Sequence, residues 1–75
     1  MSYVVAAWMP GTSKFIAQAD GKWGFLDARS GDFQPDDNPK LVESACSKYH
    51  YKRIGPFTVD GPAAARKVAE DLSWP

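Results

Sequence analysis

The single histidine, His50, lies between Tyr49 and Tyr51 and beside Lys48, Lys52 and Arg53. A histidine acting as general base needs an orienting carboxylate and a nucleophile within hydrogen-bond reach. Neither stands at a recognisable spacing from it, and the position reads instead as a helix C-terminus, where a cation complements the dipole. Cys46, the only cysteine, falls on the apolar stripe of the same helix, which predicts a core-facing, inert thiol. Asp27, Asp32, Asp36 and Asp37 form an acidic segment whose spacing matches no EF-hand loop. Asp36 and Asp37 are accounted for by the start of a helix, and the segment reads as a solvated turn. The chain is therefore expected to be non-enzymatic, with no catalytic residue, metal or cofactor.

Two groups of residues suit binding. Asp20-Gly21 favours a type I′ turn between KFIAQA and KWGFLD, which sets Ala19 opposite Lys22, Gln18 opposite Trp23, Ile16 opposite Phe25, Phe15 opposite Leu26 and Lys14 opposite Asp27. One face of this hairpin carries Phe15, Ala17, Ala19 and Leu26; the other carries Ile16, Gln18, Trp23 and Phe25. If helices cover the Phe15 face, then Ile16, Gln18, Lys22, Trp23 and Phe25 form an aromatic anchor with a polar rim, the composition of a protein interface. The reverse arrangement, with the aromatic face covered, is equally open. The second group is KYHYKR, in which Lys48, His50, Tyr51, Lys52 and Arg53 interleave charge with aromatics as single-strand nucleic-acid sites do.

The elements that must position these groups follow from apolar periodicity and turn chemistry. Ser2–Met9 reads as a central strand, with Tyr3, Val5, Ala7 and Met9 on one side and Val4, Ala6 and Trp8 on the other. Pro10-Gly11 ends it. Phe33-Gln34 is expected to pair briefly with the hairpin before Pro35. Asn38 as cap and Pro39 at the first helical position start a helix running to about Tyr49, its stripe being Leu41, Val42, Ala45, Cys46 and Tyr49. Tyr51–Val59 returns as a strand that Gly55-Pro56 assigns to an edge or a bend. A last helix has Pro62 in its first turn and Ala65, Val68, Ala69 and Leu72 as its buried stripe. Trp74 either folds back as a lid or stands exposed. The order β-β-β-α-β-α, with the two helices on one face of a mainly antiparallel sheet, makes a single α+β domain over residues 1–75.

Size and charge narrow the classes. Seventy-five residues cannot support two cores, and nine basic against nine acidic residues leave no global field for a polyanion or an anionic membrane. No apolar run approaches the roughly 20 residues of a membrane span, and the N-terminus lacks a signal-peptide pattern. With one cysteine, a cytoplasmic location is expected.

At YKRIGPFTVDGPAAARKVAEDL, residues 51–72, the sequence resembles the second half of a SPOR domain, through a basic strand, Gly55-Pro56-Phe57, a polar turn, and an Ala-rich helix ending near Leu72. The first half does not match that family. The resemblance implies a ferredoxin-like βαββαβ arrangement and a sheet surface near Tyr51, Arg53 and Phe57 that binds peptidoglycan glycan strands. By its length the chain also resembles small proteins of phages and mobile elements, including anti-CRISPR proteins. The leading expectation is a protein-binding module acting as an inhibitor or accessory factor. Glycan binding and nucleic-acid binding through residues 48–53 are the alternatives, and a homodimer is compatible with the edge strand and the aromatic patch.

Overall fold

The computed structural model describes residues 2–73. Five strands and two helices follow in the order β1 (Tyr3–Trp8), β2 (Lys14–Ala19), β3 (Lys22–Asp27), β4 (Phe33–Pro35), α1 (Leu41–Lys48), β5 (Lys52–Val59) and α2 (Pro62–Ser73). The strands form one antiparallel sheet in the order β4-β3-β2-β1-β5, so the domain is α+β. This order is not the βαββαβ implied by the resemblance at residues 51–72. Among the described residues no helix is long and apolar enough to cross a membrane.

The β2–β3 hairpin has the register its turn dictates, from Lys14 opposite Asp27 to Ala19 opposite Lys22. Asp20 and Gly21 both adopt positive φ, 53° and 81°, as a type I′ turn requires. The brief strand at Phe33 is present as β4, paired to β3. Gly24 makes that pairing possible, because a Cβ there would strike the Gln34 carbonyl oxygen and stand 2.7 Å from the Pro35 Cα. β5 is an edge strand, in keeping with Pro56, which has no N–H to give a neighbour.

β1 departs from strict alternation. Its pairing with both neighbours shifts between Val5 and Ala7, so Ala6 and Ala7 turn to the same side and Trp8 rejoins Tyr3 and Val5. A bulge of this kind lets one strand supply large residues to one core and small ones to the other. The Trp8 indole N–H then donates to the Thr12 carbonyl at 2.7 Å, fixing the β1–β2 loop.

The two helices lie on opposite faces of the sheet, not on one. Phe15, Ala17 and Leu26 pack with Ala65 and Ala69 of α2, whereas Ile16, Ala6 and Ala7 pack with Leu41, Val42 and Ala45 of α1. Adjacent residues of a strand point to opposite faces, so Phe15 and Ile16 identify the two sides. Connectivity supplies the reason: α1 links the two edge strands and must cross one face, which leaves the other for α2. Their apolar stripes, read from sequence alone, are alike and give no sign of this.

The helix ends also differ from expectation. α1 begins at Leu41 rather than Pro39, because Asn38 Oδ1 accepts the Lys40 N–H at 2.9 Å and Asp36 Oδ1 accepts the Asn38 N–H at 2.8 Å. These side-chain bonds hold the chain in successive turns before helix can start. Tyr49 is not core but 53% exposed, since the helix stops at Lys48 and the chain turns through His50 in the left-handed conformation, φ 61°. Leu72 is likewise 43% exposed and Val68 only half-buried, so Ala65 and Ala69 alone of the predicted α2 stripe are fully covered. Trp74 lies outside the described residues.

Candidate docking cleft

The Ile16 face is where sequence placed the partner surface, and α1 divides it. The pairing sets Arg53, Ala7, Ile16, Phe25 and Gln34 in one row across five strands. α1 covers the middle of that row, leaving Ile16 with 0% exposure and no surface for a partner. Trp23 and Phe25 stay half-buried on either side of the covered strip. The five residues proposed as one patch are thus separated: Ile16 is core, Gln18, Lys22 and Trp23 go one way, and Phe25 goes the other.

At the Trp23 end, Gln18, Lys22 and Trp23 line a depression closed by Asp36, Asp37, Asn38 and Pro39 of the loop before α1. Its lining mixes polar and apolar groups. At the Phe25 end a cleft of about 430 Å³ opens between the C-terminus of α1 and the β3–β4 turn. Met9, Phe25 and Tyr51 form its apolar part, Tyr49 its helix-side wall, and Lys14, Asp27, Asp32 and Gln34 its opposite wall, where charges of both signs stand. The rings of Phe25 and Tyr51 lie 6.4 Å apart at 55°, a tilted contact of the kind aromatic pairs favour. Tyr51 is 7% exposed and belongs to the floor; burial raises its phenol pKa above the ordinary 10.0. The structure therefore joins one residue of each predicted surface, Phe25 and Tyr51, in a single cleft.

The wall that carries Asp27 is held by turn chemistry. Asp27 Oδ1 accepts the Arg29 backbone N–H at 3.0 Å and the Ser13 hydroxyl at 3.1 Å, and Lys14 stands opposite it across the ladder. The Arg29 and Ser13 bonds, with the Lys14 charge, hold its pKa below 3.8, so it is ionised near neutrality. Asp32 follows at the far end of the same turn, its carbonyl accepting the Asp27 N–H at 2.8 Å, and is exposed. On the helix side Lys48 and His50 flank Tyr49 and are exposed, as are Lys52 and Arg53 at the start of β5. Residues 44–59 contain no aspartate or glutamate, so this side is basic without internal compensation.

His50, the residue after the C-cap Tyr49, turns the chain out of α1 in left-handed backbone, and the Tyr51 N–H beyond it donates to the Ala45 carbonyl at 3.3 Å. This is a helix-terminating role, matching the reading of His50 as a C-terminal residue. Cys46 is half-buried and packs against the Ile16-side core. Among the described residues no group of three His, Cys, Asp or Glu side chains is placed to hold a metal ion. Tyr49 is the residue that sequence reasoning missed: its i+8 spacing from Leu41 looked like core, and only the position of the helix end frees it. No protein-family model, curated protein or solved structure matches the chain.

Proposed function

We propose that this protein is a small protein-binding module that docks through the Phe25–Tyr49–Tyr51 cleft. The observation that carries the reading is Tyr49, an aromatic side chain 53% exposed beside the nearly buried Tyr51 and the half-buried Phe25. A tyrosine so placed offers a large contact area with few rotamers to freeze, and binding hot spots are rich in such residues. The occupant that fits is a protein segment with an apolar side chain for the floor and an acidic flank toward the exposed Lys48 and Arg53. An inhibitor or accessory role needs no more than such docking.

Immobilised wild type and a Tyr49→Ala variant, matched for fold by circular dichroism, are presented with lysate from the source cell. Proteins recovered on wild type are identified by mass spectrometry, purified and rebound. The expected result is a stoichiometric protein that binds wild type and is lost from the variant. Equal recovery on both overturns the reading.

A further inference from the structure

At the Trp23 end of the Ile16 face, the depression measures about 390 Å³, within the range of roughly 300–1,000 Å³ typical of small-ligand sites. Part of the half-buried Trp23 indole packs against the core beneath α1, and the rest opens onto the depression. Gln18 lies directly opposite Trp23 across the hairpin, and Asp37 stands on the loop before α1. We propose that this depression is a saccharide-binding site. It takes a neutral pyranose ring whose C–H face lies on Trp23 and whose hydroxyls meet Gln18, Asp37 and the indole N–H.

Three features favour this ligand class. Among the described residues, the Trp23 indole N–H, the Gln18 side-chain amide and the Asp37 carboxylate make no hydrogen bond or ion pair. No buried side-chain nitrogen or oxygen among those residues lacks a partner, so the unpaired atoms of the half-buried Trp23 and Gln18 are open to solvent and to a ligand. These groups are also mixed in kind, since the indole donates, the carboxylate accepts and the amide does both. A sugar hydroxyl, itself donor and acceptor, satisfies all three. A phosphate would face the carboxylates of Asp36 and Asp37, whereas a simple cation would share the depression with Lys22 and leave the indole and amide donors unmatched. Finally, the loop that closes the depression is held in place. The Asp36 N–H donates to the Trp23 carbonyl at 2.9 Å, Asp36 Oδ1 accepts the Asn38 N–H at 2.8 Å, and the Asn38 amide donates to the Ser44 hydroxyl of α1 at 3.2 Å. Asp36 and Asn38 thus anchor the loop and leave Asp37 between them for a ligand, an arrangement that lowers the ordering cost of binding.

Cellohexaose is the probe, because every hydroxyl of its glucose rings is equatorial and both ring faces present C–H bonds. Titration of the full chain, followed by NMR at the Trp23 indole and Gln18 side-chain amide signals, is expected to give saturable shifts between micromolar and millimolar sugar. Trp23→Ala should weaken binding roughly tenfold or more, and Gln18→Ala and Asp37→Ala, which leave every core residue in place, roughly fivefold or more each. Tyr49→Ala, at the other end of the face, should leave the affinity unchanged. No saturable shift with cellohexaose overturns the inference, as does binding that Gln18→Ala and Asp37→Ala leave intact or that Tyr49→Ala abolishes. Tighter Trp23-dependent binding of adenosine or of tetramethylammonium, a flat neutral base and a cation, also overturns it.

Discussion

The Phe15 face and the Ile16 face of the sheet are made of similar residues and end in different states. On the Phe15 face, Val5, Phe15, Ala17 and Leu26 lie under α2, a helix of 12 residues and so about 18 Å long. On the Ile16 face α1 has 8 residues, about 12 Å, and covers only Ala6, Ala7, Ile16 and Tyr51 well. Trp23 and Phe25 are therefore left at its two ends. A cover shorter than the sheet beneath it exposes aromatic surface at the ends, and the end carrying Tyr49 becomes the cleft.

The largest effect expected from this contrast comes from truncating a phenylalanine on each face. Phe15→Ala removes a ring with 0% exposure and should destabilise the fold by about 3–5 kcal/mol, whereas Phe25→Ala, half-buried at the cleft, should cost about 1–2 kcal/mol. Urea unfolding followed by tryptophan fluorescence measures both. Equal losses would mean that the two faces are covered alike. Next is Ile16→Ala, for which the same measurement should show a loss of about 2–4 kcal/mol, because Ile16 is core beneath α1 rather than part of a contact surface. A loss near zero would return Ile16 to the surface.

Much of the frame was legible in the residues. The Asp20-Gly21 turn dictated every pair of the hairpin, Pro56 pointed to an edge or a bend and the strand is an edge, and Phe33-Gln34 before Pro35 marked the short fourth strand. Each is a local signal. What could not be read depends on contacts distant in the chain. Strict alternation in YVVAAW hides a bulge that is visible only once both neighbours of β1 are known. The side each helix takes follows from the sheet order, not from its stripe. For the cleft, the basic segment and the aromatic hairpin face were both visible, but their meeting at Phe25 and Tyr51 required the crossing of α1. Tyr49 falls outside the core because the apolar stripe runs one residue past the helix end.

Smaller effects sharpen the comparison at the end of α1. His50 holds a left-handed conformation that costs a residue with a Cβ about 1–2 kcal/mol, part of which glycine returns as chain entropy. His50→Gly should therefore raise stability by about 0.5–1 kcal/mol, seen as a higher midpoint in thermal unfolding; a lower midpoint would show that the imidazole itself holds the helix end. The smallest effect is at Asp27. Folding lowers the Asp27 pKa below 3.8, so its ionised form favours the native state, fully above that ordinary value and progressively less as pH falls through the folded one. Stability should fall over this acid range, and Asp27→Asn should flatten the fall; an unchanged acid limb would show that the Ser13 and Arg29 bonds do not depend on the charge.

The Ile16 face presents an accessible aromatic cleft at the end of α1, while Phe15, at the centre of the other face, is buried beneath α2. Hydroxyl-radical footprinting of the dilute protein, read residue by residue by mass spectrometry, tests it most directly. Tyr49 should be labelled strongly and Phe25 moderately, with Tyr3, Phe15 and Tyr51 protected. Protection of Tyr49 at a dilution where the protein is monomeric, or labelling of Phe15 equal to that of Phe25, would contradict it.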